Sequence, residues 1–288
     1  MTGTEPLAWL VTGAGSGLGE AVAAHALALG DLVVLGVRPD HDGPSDLASR
    51  YPETALVVDL DVTDAARRRA AVDRATTWAG GVDVLVNNAG IDFLGAIEEQ
   101  REEDYRAQLE VNFFAAVELV RLVLPGMRAR RSGTIVNISS MDGIASLAAN
   151  GFYSASKFAL EGLTEALWQE IEPIGLRAFL VEPGSFRTGI ERRTHVSGTP
   201  IPDYDATSGA FVRAVAAVRP EMFPGDPARA AEAIARNVRA AEPRHRLILG
   251  SDARRRIGAR LAELQAALDD GAELAESTDY PGAGPAVL

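Results

Sequence analysis

Short, almost entirely apolar runs recur along the chain, and a stretch with helical character separates each run from the next. Continuous apolar runs of this kind are typical of strands that are covered on both faces. We therefore predict a strand in each run. The predicted strands are residues 7–12, 32–37, 55–60, 82–87, 133–138, 176–181 and 246–249.

The helical stretches are residues 17–29, 64–79, 102–130, 152–171, 208–218, 227–240 and 252–269. Strands that alternate with helices in this way predict an α/β fold with a doubly wound, parallel, seven-stranded sheet. A chain of 288 residues can form one large domain of that type. Ligands of such sheets bind at the carboxyl ends of the strands, where the strand order reverses.

Two parts of the chain depart from this alternation. Residues 184–226 contain four prolines and a short helical pattern. Because a long irregular insertion near a ligand edge is often functional, we interpret about 185–226 as a substrate lid. We expect one domain over residues 1–250, and a C-terminal helix with a loosely ordered tail in residues 251–288.

The first predicted strand runs directly into a glycine-rich turn, TGAGSGLG at residues 12–19, and a helix follows. Glycine lets a backbone approach a pyrophosphate closely, and a helix amino terminus supplies unpaired N–H groups. The spacing is TGxxxGxG and not the strict GxGxxG, and tight turns also use glycine structurally. The position after a first strand favours a dinucleotide site. Its expected residues are Gly13, Gly15, Ser16, Gly17, Leu18 and Gly19.

The end of the second strand indicates which dinucleotide binds. An acidic residue there hydrogen-bonds the ribose of NAD, whereas an arginine accommodates the additional phosphate of NADP. Arg38 follows Gly36 and Val37, and its guanidinium could fork onto a phosphate. Asp40 is close, and Arg38 could instead be a solvated surface residue. We predict NADP, with NAD as the alternative.

Tyr153 and Lys157 lie at i and i+4 of a predicted helix, so they share one face, and Ser140 follows the strand at 133–138. A tyrosine that acts as a base near neutral pH needs a pKa about 3 units below its usual value of about 10. An ammonium group about 4 Å away supplies the required ~4 kcal/mol. We predict that Lys157 lowers the pKa of Tyr153, and that Ser140 holds the substrate oxygen beside Tyr153.

The charge balance limits the partners. Lys and Arg number 28 while Asp and Glu number 40, so the net charge is −12. A field of this sign opposes binding to nucleic acid and to anionic membrane surfaces. The sequence contains no cysteine, which excludes disulfides and thiolate metal sites, and its histidines show no metal-ligand spacing. We expect a cytoplasmic protein that binds neither a metal nor a membrane.

Together these features resemble the short-chain dehydrogenase/reductase family, over about residues 5–250. The resemblance rests on several motifs in the family's order. They are TGAGSGLG at 12–19, Asp61-Val62, Asn87-Asn88-Ala89-Gly90, Asn112 in LEVNFFA, the set Ser140, Tyr153 and Lys157, and Pro183-Gly184 followed by Thr188. The resemblance implies a Rossmann fold and an enzyme that acts on CH–OH groups.

The resemblance also assigns roles that spacing alone does not. It implies a catalytic set of Asn112, Ser140, Tyr153 and Lys157, in which Lys157 also bonds the nicotinamide ribose and Asn112 holds a water of a proton relay. Besides Tyr153 and Lys157, it implies cofactor contacts at Asp61, Val62, Asn88, Ala89, Gly90, Pro183, Gly184, Phe186 and Thr188. Family members are usually dimers or tetramers that pair the long helices, here 102–130 and 152–171, so we expect a homodimer or homotetramer.

The chain departs from the family pattern at Asp142, where a small or apolar residue is usual. Its carboxylate could face the substrate, bond a backbone N–H or be solvated, and we favour the last. We interpret Glu182 as a strand-end residue that pairs locally. A basic cluster could bind an anion, but we interpret it as a solvated face. The cluster comprises Arg187, Arg192, Arg193 and His195.

Several apolar side chains could form the walls of a substrate pocket, although each could equally be ordinary core. They are Phe93, Met141, Leu147, Phe152 and Phe186. Such walls suit a bulky or hydrophobic substrate. We predict an NADP-dependent oxidoreductase that interconverts a secondary alcohol and a ketone. The alternatives are an epimerase or dehydratase without net redox, in which Asp142 takes part, and a non-enzymatic dinucleotide-binding protein.

Overall fold

The predicted parallel sheet is present in the structure, a computed structural model that describes residues 5–38, 45–189 and 193–284. The strands of these residues are β1 (Ala8–Thr12), β2 (Leu32–Val37), β3 (Ala55–Asp59), β4 (Val84–Asn87), β5 (Asp92–Leu94), β6 (Thr134–Ile138), β7 (Arg177–Pro183), β8 (Thr194–Val196) and β9 (Arg246–Leu249). All except β5 and β8 pair in parallel in the order β3-β2-β1-β4-β6-β7-β9. The strand order therefore reverses between β1 and β4.

Helices cover both faces of this sheet. The described α-helices are α1 (Gly17–Ala28), α2 (Ser45–Arg50), α3 (Ala65–Ala79), α4 (Glu102–Leu109), α5 (Ala115–Arg130), α6 (Gly151–Ile171), α7 (Ala210–Ala216), α8 (Pro227–Val238), α9 (Ser251–Asp270) and α10 (Ala272–Glu276). In the part of the chain that the structure covers, none of them is both long and apolar enough to cross a membrane.

The sheet separates two apolar cores because successive side chains of a strand point to opposite faces. Trp9 and Val11 of β1 pack on the face covered by α1 and α8, together with Ile234. Leu10, between them, packs on the opposite face with Leu119 of α5. Every residue of β1, β4 and β6 is buried. This two-sided burial is the physical reason for the almost continuous apolar runs.

The structure corrects several element boundaries. The predicted helix 102–130 is interrupted by a π-helical turn, Glu110–Phe114, which separates α4 from α5. The predicted strand 176–181 continues to Pro183, and the predicted helix 208–218 is reduced to α7. The six-residue α2 and the pair β5 and β8 were not predicted. Each is too short for its apolar periodicity to differ from that of a loop.

The proposed lid is tied to the segment that follows β4. Strand β8 pairs in parallel with β5, so residues 194–196 align with residues 92–94. Just beyond β8, the Ser197 hydroxyl donates to Asp104 at 2.7 Å, and the Ile201 N–H donates to Glu99 at 2.7 Å. These contacts hold this part of the insertion against residues 92–104, beside the carboxyl ends of the strands.

The C-terminal helix α9 contacts the domain only through its first half. Ala253 and Ile257 are buried, whereas residues 258–270 are exposed throughout. Asp252 at its start accepts a hydrogen bond from the Ser185 N–H at 2.8 Å. The described part of the tail contains the short, exposed α10. That the tail as a whole is loosely ordered stays a prediction, and residues 285–288 lie outside the described residues.

Candidate active site

Ser140 lies just after the carboxyl end of β6, where the chain leaves the sheet. It has an extended backbone, and its hydroxyl accepts a hydrogen bond from the Asp142 N–H at 3.1 Å. The side chain is buried. Capping the turn at residues 141–143 fixes the position of this hydroxyl relative to the sheet.

Tyr153 and Lys157 lie on one face of α6, as their spacing predicts. The Lys157 ammonium nitrogen is buried, donates to the Ile138 carbonyl at 2.9 Å, and is 5.6 Å from the centre of the Tyr153 ring. A hydrogen bond with Ser140 acts on the Tyr153 hydroxyl. The structure therefore brings Ser140, Tyr153 and Lys157 together at the end of β6.

The electrostatics of this cluster differ from the prediction. Burial raises the pKa of Tyr153 above its usual value, and the charges of Asp92 and Asp142 raise it further. Burial lowers the pKa of Lys157 to about 8, although the surrounding carboxylates oppose this change. The pKa of Tyr153 is therefore raised in this structure, whereas the sequence predicted that it would be lowered. Two carboxylates that the spacing argument left out act in the opposite direction.

Asp92 is one of those carboxylates, and no electrostatic role was predicted for it, although the segment 91–94 was expected to help decide the substrate. It follows the Asn-Asn-Ala-Gly motif and starts β5. Its Oδ2 accepts from the Thr194 hydroxyl at 3.3 Å, and its Oδ1 is buried without a hydrogen-bond partner. Burial, together with the charge of Asp142, raises the pKa of Asp92 to about 7. Its position after the motif was the available signal.

Asn112 lies in the π-helical turn between α4 and α5. Its side chain accepts from the Ile91 N–H at 2.9 Å and donates to the Ile91 carbonyl at 3.0 Å and to Ser156 at 3.1 Å. A π-helical turn often marks a functional position. Here it points a buried amide at the segment beside Lys157. The water-holding role of Asn112 stays a prediction.

The glycine-rich turn lies between β1 and α1, at the point where the strand order reverses. Gly13 and Gly17 have φ values of +63°, which favour glycine. A Cβ on Gly19 would lie 2.5 Å from the Gly13 carbonyl oxygen, so the turn closes tightly on the helix. Ser16, the residue before α1, makes no side-chain cap to the helix. The first N–H groups of α1 are thus not satisfied by that side chain, which fits a phosphate ligand.

Four hydrogen bonds join this turn to the end of β4, and only one of the two side chains that make them, Asn88, was a predicted site residue. The Asn88 side chain donates to the carbonyl oxygens of Thr12 at 2.9 Å and Gly13 at 3.2 Å. The Thr12 hydroxyl accepts from the N–H groups of Asn88 at 2.9 Å and Ala89 at 3.0 Å. Thr12 was part of the quoted motif but was not assigned a role. Gly90 follows, and a Cβ there would meet Asn112 at 3.3 Å.

The remaining predicted nucleotide residues are distributed around this edge. Gly15 lies within the turn, and Leu18, in the first turn of α1, is buried in the core. Val62 is also buried, and its carbonyl accepts from Arg68 at 2.5 Å. Asp61 is partly exposed, and hydrogen bonds from Thr63 hold its pKa below the usual value.

Arg38 is exposed at the end of β2, and its charge also acts on Asp61. The guanidinium is therefore accessible at the nucleotide edge, with a carboxylate nearby. Pro39 and Asp40, which the cofactor prediction also considered, lie outside the described residues.

The segment after β7 borders the glycine turn from the other side. A Cβ on Gly17 would meet the Thr188 side chain at 3.0 Å, so Thr188 lies directly over the turn. Pro183 ends β7, and Gly184, the next residue, packs against Asp252. For Phe186 the structure agrees with the alternative of ordinary core packing and not with a pocket wall. Its ring is buried in the core and packs on Gly225.

The interpretation of Asp142 as a solvated residue is wrong. The residue is 7% exposed, and its carboxylate accepts hydrogen bonds from Ser140, from Asn150 at 3.1 Å and from Arg256 at 2.6 Å. The sequence carried no signal for Arg256, which lies 114 positions further along. The carboxylate is thus part of the Ser140 environment and not of the surface.

The other charged residues follow the predictions more closely. Glu182 is fully buried and is paired as expected, but its partner Arg246 lies on the neighbouring strand β9, 64 positions further along the chain. Arg187, Arg193 and His195 are exposed, and Arg192 lies outside the described residues. Arg193 nevertheless donates to the Ser16 hydroxyl at 2.7 Å and to the Thr188 carbonyl at 2.9 Å. One residue of the cluster, Arg193, therefore contacts the nucleotide edge.

Phe93, Met141 and Phe152 are partly buried near the proposed catalytic groups, and Phe152 stacks on Tyr105 with ring centres 4.3 Å apart. Leu147 is 40% exposed. A separate cleft of about 700 Å³ lies between segment 98–101 and lid residues 196–202. Because none of Asn112, Ser140, Tyr153 and Lys157 lines it, we do not consider it the reaction site.

Comparison with known proteins identifies relatives among oxidoreductases. The short chain dehydrogenase family matches residues 8–196. A 3-ketodihydrosphingosine reductase of Bacteroides thetaiotaomicron is 39% identical over 193 residues, which are 67% of this chain and 69% of that protein. A 3-alpha-(or 20-beta)-hydroxysteroid dehydrogenase of Mycobacterium tuberculosis is 38% identical over 179 residues, 62% of this chain and 68% of that protein.

Solved structures give the same result. A short-chain dehydrogenase from Streptomyces avermitilis superimposes with a TM-score of 0.89 at 38% identity, over 96% of this chain and all of that one. A metagenomic short-chain oxidoreductase in complex with NADP superimposes with a TM-score of 0.66 at 26% identity, over 85% of this chain and 97% of that one. The similarity extends over the sheet, the helices and the edge at which the candidate residues lie.

Proposed function

Because this chain belongs to the short-chain dehydrogenase family of oxidoreductases, we propose that it is an NADP-dependent enzyme that interconverts a secondary alcohol and a ketone on a bulky or hydrophobic substrate. One observation carries the proposal. The side chains of Ser140, Tyr153 and Lys157 meet at the carboxyl end of β6, on the same edge as the glycine turn. Hydride and proton transfer need these two features side by side.

In this proposal Tyr153 is the general acid and base. It gives its hydroxyl proton to the ketone oxygen during reduction and takes that proton back during oxidation. Ser140 holds the same oxygen by a hydrogen bond. Lys157, which is held by the Ile138 carbonyl, keeps a positive charge close to the tyrosine. Asn112 fixes the Ile91 segment beside Lys157.

The residues present fit a dinucleotide. The close approach of Gly13 and Gly19 leaves no room for side chains, and the start of α1 faces the turn with N–H groups that Ser16 does not cap. When bound, the nicotinamide supplies or accepts the hydride. We assign Ser16, Thr188 and the start of α1 to the cofactor phosphates and carboxamide, and Arg38 to the additional phosphate of NADP.

The state of Tyr153 fits its proposed role as proton donor to a ketone oxygen. Its raised pKa keeps the hydroxyl protonated at neutral pH, so the proton for the ketone oxygen is already in position. Oxidation requires the phenolate, which burial and the carboxylates of Asp92 and Asp142 disfavour. The epimerase or dehydratase alternative loses its support, because Asp142 is engaged by Ser140 and Arg256.

The substrate class rests on the walls of the site and on one relative. Phe93, Met141 and Phe152 offer apolar surface, and the mycobacterial relative is named for hydroxysteroids. We also propose a homodimer or homotetramer, supported by two large exposed side chains on the long helical elements, Phe114 and Phe158. The cysteine-free sequence supports a cytoplasmic location.

The test is a screen for oxidation of NADPH by ketones of increasing bulk: cyclohexanone, acetophenone, α-tetralone and progesterone. We expect turnover of the bulky members, and tighter binding of NADPH than of NADH when nicotinamide fluorescence is titrated. Conversion of a substrate without net change in the nicotinamide absorbance would favour the epimerase alternative. Absence of both turnover and dinucleotide binding would contradict the proposal.

A further inference from the structure

The C-terminal helix α9 reaches the loop that carries Ser140 through one arginine. Arg256 donates to the Asp142 carboxylate at 2.6 Å and also to the Ala145 carbonyl oxygen. The side chains of this ion pair are 20% and 10% exposed. The family match ends at residue 196, so Arg256 comes from a part of the chain beyond it.

Asp142 connects Arg256 to Ser140 by hydrogen bonds. One oxygen of its carboxylate accepts from Arg256 and Asn150, while the other accepts from the Ser140 hydroxyl at 3.2 Å. The Asp142 N–H donates back to the same hydroxyl oxygen. A serine hydroxyl has one proton, and in this arrangement that proton is directed at the carboxylate. The state of Asp142 therefore decides whether Ser140 can turn its proton toward a substrate oxygen.

We propose that Arg256 is a positioning residue, which acts through Asp142 to set the orientation and hydrogen-bonding of Ser140. This inference rests on the proposed function, since it assigns a means of control to the same site. Arg256 does not touch the reacting atoms. It shares the charge of the carboxylate, and a carboxylate whose charge is shared holds the serine proton less firmly.

The ion pair also determines the charge around Tyr153. The charged groups that face this region are Asp142 after β6, Asp92 of β5, Lys157 and Glu161 of α6, and Arg256 of α9, and Glu161 is paired with Arg246 of β9. Without Arg256, the Asp92 and Asp142 carboxylates near Tyr153 would be opposed by the Lys157 ammonium group, while Arg246 remains paired with Glu161. Removing one partner of a buried ion pair leaves an uncompensated charge, which is much worse than removing both partners.

The attachment of α9 does not depend on Arg256 alone. Ala253 and Ile257 are buried on the domain, and Asp252 accepts from the Ser185 N–H at 2.8 Å. The Arg256 Nε is buried and has no hydrogen-bond partner, which is unfavourable for stability. The placement of this guanidinium is thus better explained by its effect on Asp142 than by a contribution to packing.

The test is a double-mutant cycle with Arg256→Met, Asp142→Asn and their combination, assayed with NADPH and α-tetralone and in reverse with NADP and α-tetralol. Arg256→Met should lower kcat by about 100-fold with little change in the KM for NADPH, because a misplaced group near the chemistry has an effect of that order. In the Asp142→Asn background, which contains no carboxylate to compensate, the same change should lower kcat by less than about 3-fold.

The pH profile separates positioning from a merely structural role. Arg256→Met should move the acid limb of alcohol oxidation to higher pH, since the uncompensated Asp142 charge disfavours the Tyr153 phenolate. The double variant should not show this change. Arg256→Lys, which keeps a charge, should recover part of the lost kcat. The matched control is Arg255→Met on the exposed side of α9, which should behave as the wild type.

Two results would overturn the inference. One is an Arg256→Met variant with the kcat and pH profile of the wild type. The other is an equal loss of kcat in both backgrounds, accompanied by a lower unfolding temperature, which would make Arg256 only an anchor of α9. A wild type that turns over no ketone contradicts the proposed function instead. In that case the unfolding temperatures of the two single variants and the double variant are compared. Additive changes in unfolding temperature would contradict an energetic coupling between Arg256 and Asp142.

Discussion

The nucleotide side and the substrate side of this site lie at the same edge of one sheet, but they are built differently. On the nucleotide side the decisive contacts join the ends of neighbouring strands, as when Asn88 after β4 bonds Thr12 and Gly13 at the end of β1. On the substrate side they join distant parts of the chain, as when Arg256 of α9 bonds Asp142 after β6. The first side is a backbone cradle, and the second is a set of coupled charges.

This difference indicates which positions of the site tolerate amino-acid substitution. A backbone cradle cannot bind its ligand once a side chain occupies it, so its turn positions require glycine. Coupled charges can be exchanged in pairs without disturbing the sheet. We therefore expect substitutions on the nucleotide side to abolish binding, and substitutions on the substrate side to change pH dependence and rate.

The largest expected effect is on the chemistry itself. Tyr153→Phe removes the hydroxyl that transfers the proton, so kcat should fall by at least about 10³-fold. The affinity for NADPH should change little, because the ring remains in place. Steady-state kinetics and a fluorescence titration measure the two quantities. Tyr280→Phe, at a position 89% exposed, is the matched control. Retained turnover in Tyr153→Phe would remove Tyr153 from its assigned role.

Gly19→Ala should have the next largest effect and should act on the nucleotide side alone. The added Cβ would lie 2.5 Å from the Gly13 carbonyl oxygen, so the turn must open. We expect at least about 100-fold weaker NADPH binding, since displacing a close backbone contact by about 1 Å has effects of this order. Gly162→Ala in α6, where a Cβ meets nothing within 4 Å, is the control. Equal affinities of the two variants for NADPH would contradict the view that the nucleotide side is a tightly closed backbone cradle.

Arg38→Ala should weaken NADPH binding about 10-fold or more while leaving NADH binding unchanged, because a charged hydrogen bond to the additional phosphate is lost. Paired fluorescence titrations measure this difference. Arg69→Ala, another exposed arginine, is the control. If NADPH and NADH bind equally to the wild type, Arg38 is a surface residue and the cofactor proposal is wrong.

Asp92→Asn should have the smallest effect on rate but a distinct pH signature. Removing this charge lowers the pKa of Tyr153, so the acid limb of alcohol oxidation should move about one unit toward lower pH. Asp73→Asn, on the exposed face of α3, should leave the profile unchanged. An unchanged profile in Asp92→Asn would mean that Asp92 does not act on the tyrosine.

We also expect Asp92→Asn to change how the stability of the folded protein depends on pH. The pKa of Asp92 is raised to about 7 in the folded protein, from an ordinary value of 3.8. Ionisation of Asp92 therefore costs stability progressively as the pH rises between these values. The variant should unfold at a higher temperature than the wild type above about pH 7, and at the same temperature below about pH 4. Thermal unfolding across this range checks the sign.

Sequence reasoning was strongest where the pattern is local. The strand runs, the glycine turn and the spacing of Tyr153 and Lys157 follow from the periodicity of strands and helices, and the structure has them at the sheet edge. The π-helical turn at Asn112 and the small sheet of β5 and β8 were beyond such reasoning. A single extra residue per helical turn and strands of three residues leave no periodic signal.

The electrostatics could not be predicted from spacing. The magnitude argument for Lys157 was sound for an isolated pair, but the sign of the Tyr153 shift is set by burial and by Asp92 and Asp142. Whether Asp142 is solvated depends on Arg256, and nothing local in the sequence joins these residues. Long-range ion pairs become visible only when the fold brings helices and loops together.

The most direct test of the central claim uses NADPH in which both hydrogens at the nicotinamide carbon that gives up the hydride are replaced by deuterium, so that the result does not depend on the face of transfer. The labelled cofactor is incubated with the wild type and α-tetralone, and the alcohol product is analysed by mass spectrometry. We predict that one deuterium appears on the carbinol carbon of the alcohol and is lost from the cofactor in equal amount. Conversion of a substrate with both deuterium atoms still on the cofactor, or an unlabelled alcohol, would contradict net hydride transfer at the Ser140, Tyr153 and Lys157 site.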